Sequence, residues 1–208
     1  MSNPDPNQLP RIFQANLARL FERVILTGMN ALTVHEHLEY GEAATLEQFL
    51  DRAAAQVDNY TANEAAKAYT LTLAAVFERQ MSVWARALQA DFAGTRSFEA
   101  LLKGCAGQAG IELAQDSLGA DLMQMFTAAN VVRHGDGPAC QKLQTQAPEL
   151  WDSDALDYFD LLPGAPVVSE QLRIRKPDLV RYIKAATRFW GLADPLPMAV
   201  TDYPYREE

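Results

Sequence analysis

The stretch "AANVVRHGDGPAC", residues 128–140, runs an apolar helical segment straight into two glycines and a proline. Upstream of it Leu118, Leu122, Met125, Ala129 and Val132 recur at three- and four-residue steps, which marks one face of a helix from about Ile111 to His134. Gly135 can take the left-handed backbone that closes a helix, and Pro138 fits the first turn of the next one. The stretch therefore reads as helix, turn, helix, and the chain reverses at it.

Working outward, the same spacing recurs on both sides. Phe13, Leu17, Leu20, Phe21, Val24 and Ile25 predict a long helix from Pro10 to about Tyr40, with Gly41 as its stop. Thr45 can cap a second helix that carries Leu46, Phe49, Leu50, Ala53 and Val57 up to the polar break "DNYTAN". A third is expected from about Thr61 to Phe92, on a stripe of Tyr69, Leu73, Val76, Phe77, Trp84 and Leu88. A short helix from Ser97 to Cys105 should break at "GCAGQAG", where three glycines make further helix costly.

In "EQLRIRKP" Leu172 and Ile174 alternate with Arg173 and Arg175, which predicts a short extended arm near 171–176. A last helix follows from about Asp178 to Trp190, with Leu179, Tyr182, Ile183, Ala186 and Phe189 inward. The expected architecture is an all-α antiparallel helical bundle. It would comprise a disordered lead-in at 1–9, one helical domain at 10–192 and an irregular tail at 193–208.

Composition narrows the class. The 208 residues are 49% hydrophobic and 22% charged, ordinary values for a soluble globular chain. The start, "MSNPDPNQLP", has neither the cationic nor the apolar region of a secretory signal, and Leu73 to Phe77 is far too short to span a bilayer. Cys105 and Cys140 form no C-x-x-C pair and read as small buried thiols. A cytoplasmic protein away from membranes is the expectation.

The net charge of −9 speaks against a protein that coats nucleic acid with its whole surface. Between Arg173 and Arg188, however, six basic residues face the single acid Asp178, a local charge of +5, which leaves −14 for the rest. On the last helix Arg181, Lys184 and Arg188 form a basic stripe. It reads as a solvated face, paired with the acidic segment 152–160, or as a contact for phosphate or nucleic acid.

His134 is one of three histidines. It can bond the last carbonyls of its own helix and merely end it. Alternatively, with Asn130 one turn back and Arg133 beside it, it forms a polar patch, and the negative end of the helix dipole favours an imidazolium suited to a phosphate. In "HEHLE", residues 35–39, only His35 and Glu39 share a helical face, half a metal site at best, so no metal is expected. "DSDALDYFD" lacks the glycine and closing glutamate of a calcium loop. No phosphate loop, nucleophile elbow or dinucleotide fingerprint is present, and no cofactor is expected. The triplet Arg133-His134-Gly135 also occurs in histidine phosphatases, which place it after the first strand of an α/β fold and not behind a mid-chain helix.

An apolar helix followed by Asn130, Arg133, His134, Gly135, Asp136 and Gly137 and then "CQKLQTQAPELW" resembles the HEPN superfamily. It is most similar to a bacterial group with an Asn-x-x-(Lys/Arg)-His-Gly-Asp-Gly block. "AAVFERQMSVWARAL" at 74–88 and "LVRYIKAATRFWGL" at 179–192 resemble that group's central and last helices, so the likeness runs in order over about 60–192.

The resemblance implies a helical bundle, a homodimer, and a role with RNA, a nucleotide or a protein partner in phage defence or a toxin–antitoxin pair. Active HEPN members are mostly metal-independent ribonucleases carrying Arg-Asn-x-x-x-His. Here Asn130 and His134 match, but Ala129 stands where the arginine would be. Losing a preorganised donor of that kind typically costs about 100-fold or more in rate. The resemblance thus implies a module that is non-catalytic or weakly active, with a working ribonuclease as the alternative and a structural or regulatory protein as a third. The candidate catalytic residues are His134, Arg133 and Asn130; the candidate ligand-binding residues are Asp136, Arg181, Lys184 and Arg188.

Overall fold

Residue 128 lies in the third quarter of α5 (Leu118–His134), and the turn behind it leads into α6 (Pro138–Gln146). The computed structural model describes residues 5–39, 41–151 and 168–201. Ahead of α5 come α1 (Leu9–Leu20), α2 (Thr27–Asn30), α3 (Leu46–Ala87) and α4 (Phe98–Ala109); α7 (Lys176–Ala193) follows it. Among the described residues there is no strand, so the fold is all-α, and the α/β setting of a histidine phosphatase is absent from them. No helix of the described residues is long and apolar enough to cross a membrane.

One expected break vanishes, one comes late and one comes early. The helices expected on either side of "DNYTAN" are one 42-residue helix, α3, capped where expected by the Thr45 hydroxyl accepting from Gln48 N–H at 3.1 Å. Gly104 and Gly107 of "GCAGQAG" do not end α4, which continues to Ala109 and closes only at the third glycine, Gly110, with φ +68°. Gly104 lies against the Phe92 ring, where an added Cβ would come within 2.6 Å, so close packing is what needs the glycine there. The first helix, expected to reach Tyr40, runs on from α1 through a π-helical turn (Phe21–Leu26) but stops at Asn30.

Beyond that stop the backbone of His35, Gly41 and Glu42 finds partners on α3 instead. His35 N–H donates to Asn59 Oδ1 and Asn59 Nδ2 donates back to the His35 carbonyl, both at 2.8 Å. Arg52 reaches the carbonyls of Gly41 and Glu42 and the Glu39 carboxylate. His35 and Glu39 are thereby spoken for by Asp58 and Arg52, and among the described residues no cluster of three metal-ligating side chains forms.

The core is centred on Trp190, fully buried on α7. Its ring lies edge-on to Phe13 of α1 at 5.1 Å and to Phe77 and Trp84 of α3 at 5.8 and 5.7 Å, and its indole N–H donates to Gln80 at 2.9 Å. Gln14 on α1 donates to the carbonyls of Thr187 and Val200, and Arg11 pairs with Asp194, so α1 runs antiparallel to α7. Phe126 stacks on Phe98 at 3.9 Å and joins α5 to α4.

The arm expected near 171–176 is an extended stretch, 172–175, between a short turn (Val168–Gln171) and α7. It pairs with a side chain and not with a strand: the Asn63 amide donates to the Leu172 carbonyl at 3.0 Å and accepts from Ile174 N–H at 2.9 Å. Leu172 and Ile174 point inward, as their alternation predicts. Residues beyond Ala193 are irregular as far as Thr201; the lead-in at 1–4 and the end of the tail lie outside the described residues.

Candidate functional site

The last turn of α5 carries three of the expected side chains. Arg133 and His134 are exposed, Asn130 is half-buried, and helical spacing keeps all three on one side of the turn. None of them makes a side-chain hydrogen bond to another described residue. The helix end is closed by the backbone, with Gly135 at φ +71° donating its N–H to the Val131 carbonyl at 2.8 Å. The imidazole therefore leaves the last carbonyls alone among the described residues, and it is open to solvent beside a guanidinium and an amide.

Ala129, one residue before Asn130, is 3% exposed and belongs to the core. Its methyl group packs inward on the α5 stripe, so nothing cationic can arise there without entering the apolar interior.

Asp136 has a structural task. Its carboxylate accepts from the backbone N–H of Ser169 at 2.7 Å and of Val168 at 3.2 Å, which pins the turn before the extended arm. The Ser169 amide and hydroxyl and the Val168 amide hold its carboxyl below the usual range. Neighbouring Cys140 is buried, and burial together with the Asp136 charge pushes its thiol up.

The basic stripe of α7 lies at the other end of α5. Arg181 donates to Asp121 at 2.8 Å, to Asp178 at 3.1 Å and to the Gln124 amide oxygen, and its guanidinium carbon is 5.2 Å from the Tyr182 ring centroid. Arg188 donates to Asp116 at 2.6 Å. The acidic segment 152–160 expected to pair with this stripe lies outside the described residues; the carboxylates seen on it come from α5, from the turn before α5 and from α7 itself.

Between these helices runs an open groove of about 850 Å³. Lys176, Arg181, Lys184 and Arg188 line it against two carboxylates, Asp116 and Asp121, while Leu118, Pro177 and Val180 supply an apolar floor. The groove holds positive charge on a chain whose total is −9.

The structure thus divides the expected residues. Asn130, Arg133 and His134 gather at the C-terminal end of α5, and Arg181, Lys184 and Arg188 gather beside its N-terminal end. Asp121 and His134 are thirteen positions apart on one helix, about 20 Å along its axis. Among the charged and amide groups at the groove, four were not singled out in the sequence. Lys176 carried a signal as part of the basic segment; Asp116, Asp121 and Gln124 carried none, because their meeting with α7 is purely tertiary. Compared with family models, with curated proteins and with solved structures, the chain matches none.

Proposed function

We propose that this chain is a HEPN-like helical module that binds RNA through its phosphates, in the groove between α5 and α7, and does not cut it. The observation that carries the reading is the groove, where four cationic side chains on one helix line a cavity large enough for a nucleotide-sized group. Arg181 and Arg188 are already held by carboxylates, so little rotamer freedom remains to be lost when a phosphate docks. Among the described residues the groove has no aromatic lining, so these offer charge to the backbone and no stacking platform for bases. RNA binding in a defence or toxin–antitoxin setting is the role the HEPN resemblance adds.

Buried Ala129 supports the absence of cutting, since the guanidinium that would hold the scissile phosphate has no place on this side of α5. A second reading, a ribonuclease using His134 as general acid or base with Arg133 and Asn130, is favoured by one observation. That corner is solvent-facing and its side chains are not engaged by other described residues.

The test is binding of a short single-stranded RNA over a range of salt, with cleavage and growth arrest followed in parallel. Lys176→Ala combined with Lys184→Ala should weaken binding and lower the salt slope by about 0.7 for each phosphate that is no longer neutralised. Affinity and slope unchanged in the double variant would remove the groove from the reading. Cleavage by the wild type that disappears in His134→Ala would establish the ribonuclease instead.

A further inference from the structure

A second cavity, of about 270 Å³, lies where the extended arm passes α3. Its floor is the part of α3 where Asn59, Ala62 and Asn63 share one face of the helix. Both asparagines are engaged in holding backbone: the Asn59 amide bonds both ways to His35, and the Asn63 amide bonds to Leu172 and Ile174. Each of these segments is therefore kept one amide side chain away from α3. The residue between the two asparagines, Ala62, is too small to fill the space that this leaves. Met29 and Val34 from the chain before α3, with Ile174 and Pro177 from the chain after it, complete an apolar lining.

The charges on this lining have one sign. Arg173, Arg175 and Lys176 contribute to it, and none of the described residues that line it is acidic. Arg173 is only 8% exposed, so its cation belongs to a wall poor in water. We propose that the cavity binds a small aliphatic carboxylate, with its chain over Ala62 between Met29 and Ile174 and its head group on Arg173. A guanidinium has five N–H donors in a planar fork, so one that is engaged within the protein still takes a second acceptor. A carboxylate matches that fork with two parallel bonds and has a single charge to strip of water, whereas a phosphate monoester has nearly two. The groove beside α5 differs on both counts, being about three times larger and carrying two carboxylates of its own.

Volume sets the length of the ligand. At the ~30 Å³ that a water takes up in the liquid, 270 Å³ holds about nine non-hydrogen atoms, the size of a straight-chain acid of roughly six to eight carbons. Each further CH₂ that enters the cavity should tighten binding about fourfold, and a chain longer than the cavity leaves its end in solvent and gains nothing more.

The probes are hexanoate, octanoate and decanoate, with octanol as the uncharged control, titrated into the full chain with its methionines isotopically labelled at the methyl carbon. Octanoate should move the Met29 methyl resonance and leave those of Met81 and Met125, which are buried away from the cavity lining, in place. Affinity should rise roughly 16-fold from hexanoate to octanoate and stay level at decanoate. Octanol should bind at least about tenfold more weakly than octanoate, for want of the charge-assisted pair. Ala62→Leu puts a side chain into the space over the helix and should abolish the octanoate response with helical circular dichroism retained; the Met29 signal is read in the native chain, so the test does not depend on that variant folding. Millimolar octanoate that leaves Met29 still, or that shifts all the methionine signals alike, overturns the inference. So does octanol binding as tightly as octanoate, or a folded Ala62→Leu that binds undiminished.

Discussion

At Asp136 an exposed carboxylate accepts two backbone N–H groups of the turn at 168–169, and its folded-state pKa lies below the ordinary 3.8. A carboxyl of this kind stabilises the folded chain above its ordinary pKa, and the contribution is lost as pH falls through the depressed folded value. Asp136→Asn should therefore be less stable than wild type at neutral pH. The gap should narrow in acid as the wild type loses its ionised partner, an effect read from urea midpoints taken at several pH values; a gap independent of pH would mean that the ionised carboxylate contributes nothing. The patch of Asn130, Arg133 and His134 was legible in the sequence, because helical spacing alone groups these side chains. So was the inward position of Ala129, which lies on the very stripe that predicts the helix. The task of Asp136 was not legible, since its partners are more than thirty residues along the chain.

At the scale of elements, helix type was readable and helix limits were not. "DNYTAN" looks like a break because the apolar stripe changes face there, yet a change of face needs no change of backbone, and Asn59 and Asn63 supply the reason for polar residues at that point. Asn63 is 6% exposed and serves as the partner strand that the extended arm lacks. Asn63→Ala leaves a buried carbonyl and a buried N–H without partners and should cost about 2–4 kcal/mol of unfolding free energy. Chemical denaturation measures this, and a loss under half of that would show that the arm is held by Leu172 and Ile174 alone. The glycines of α4 misled for a related reason: propensity counts their backbone freedom, whereas Gly104 answers to the ring of Phe92.

For the whole molecule, the basic stripe could be read from one helix, but the groove could not. The carboxylates from outside α7 that hold Arg181 and Arg188 stand 60 and 72 residues away in sequence. The interior is closed as well as apolar: burial pushes the Cys105 thiol up to about 12, and Cys140 is 3% exposed. Neither thiol should react with an aromatic disulfide reagent in the native protein, and both should react in denaturant; rapid native labelling would show that the bundle opens locally around α4 or α6. The same rigidity makes α5 a partition. Its two ends carry the histidine corner and the cationic groove about 20 Å apart along the axis, and at about 100° per residue Asn130, Arg133 and His134 stand roughly 120–180° round the helix from Asp121. One small molecule cannot touch both sides of the rod, so a change at His134 would leave the charges of the groove where they stand.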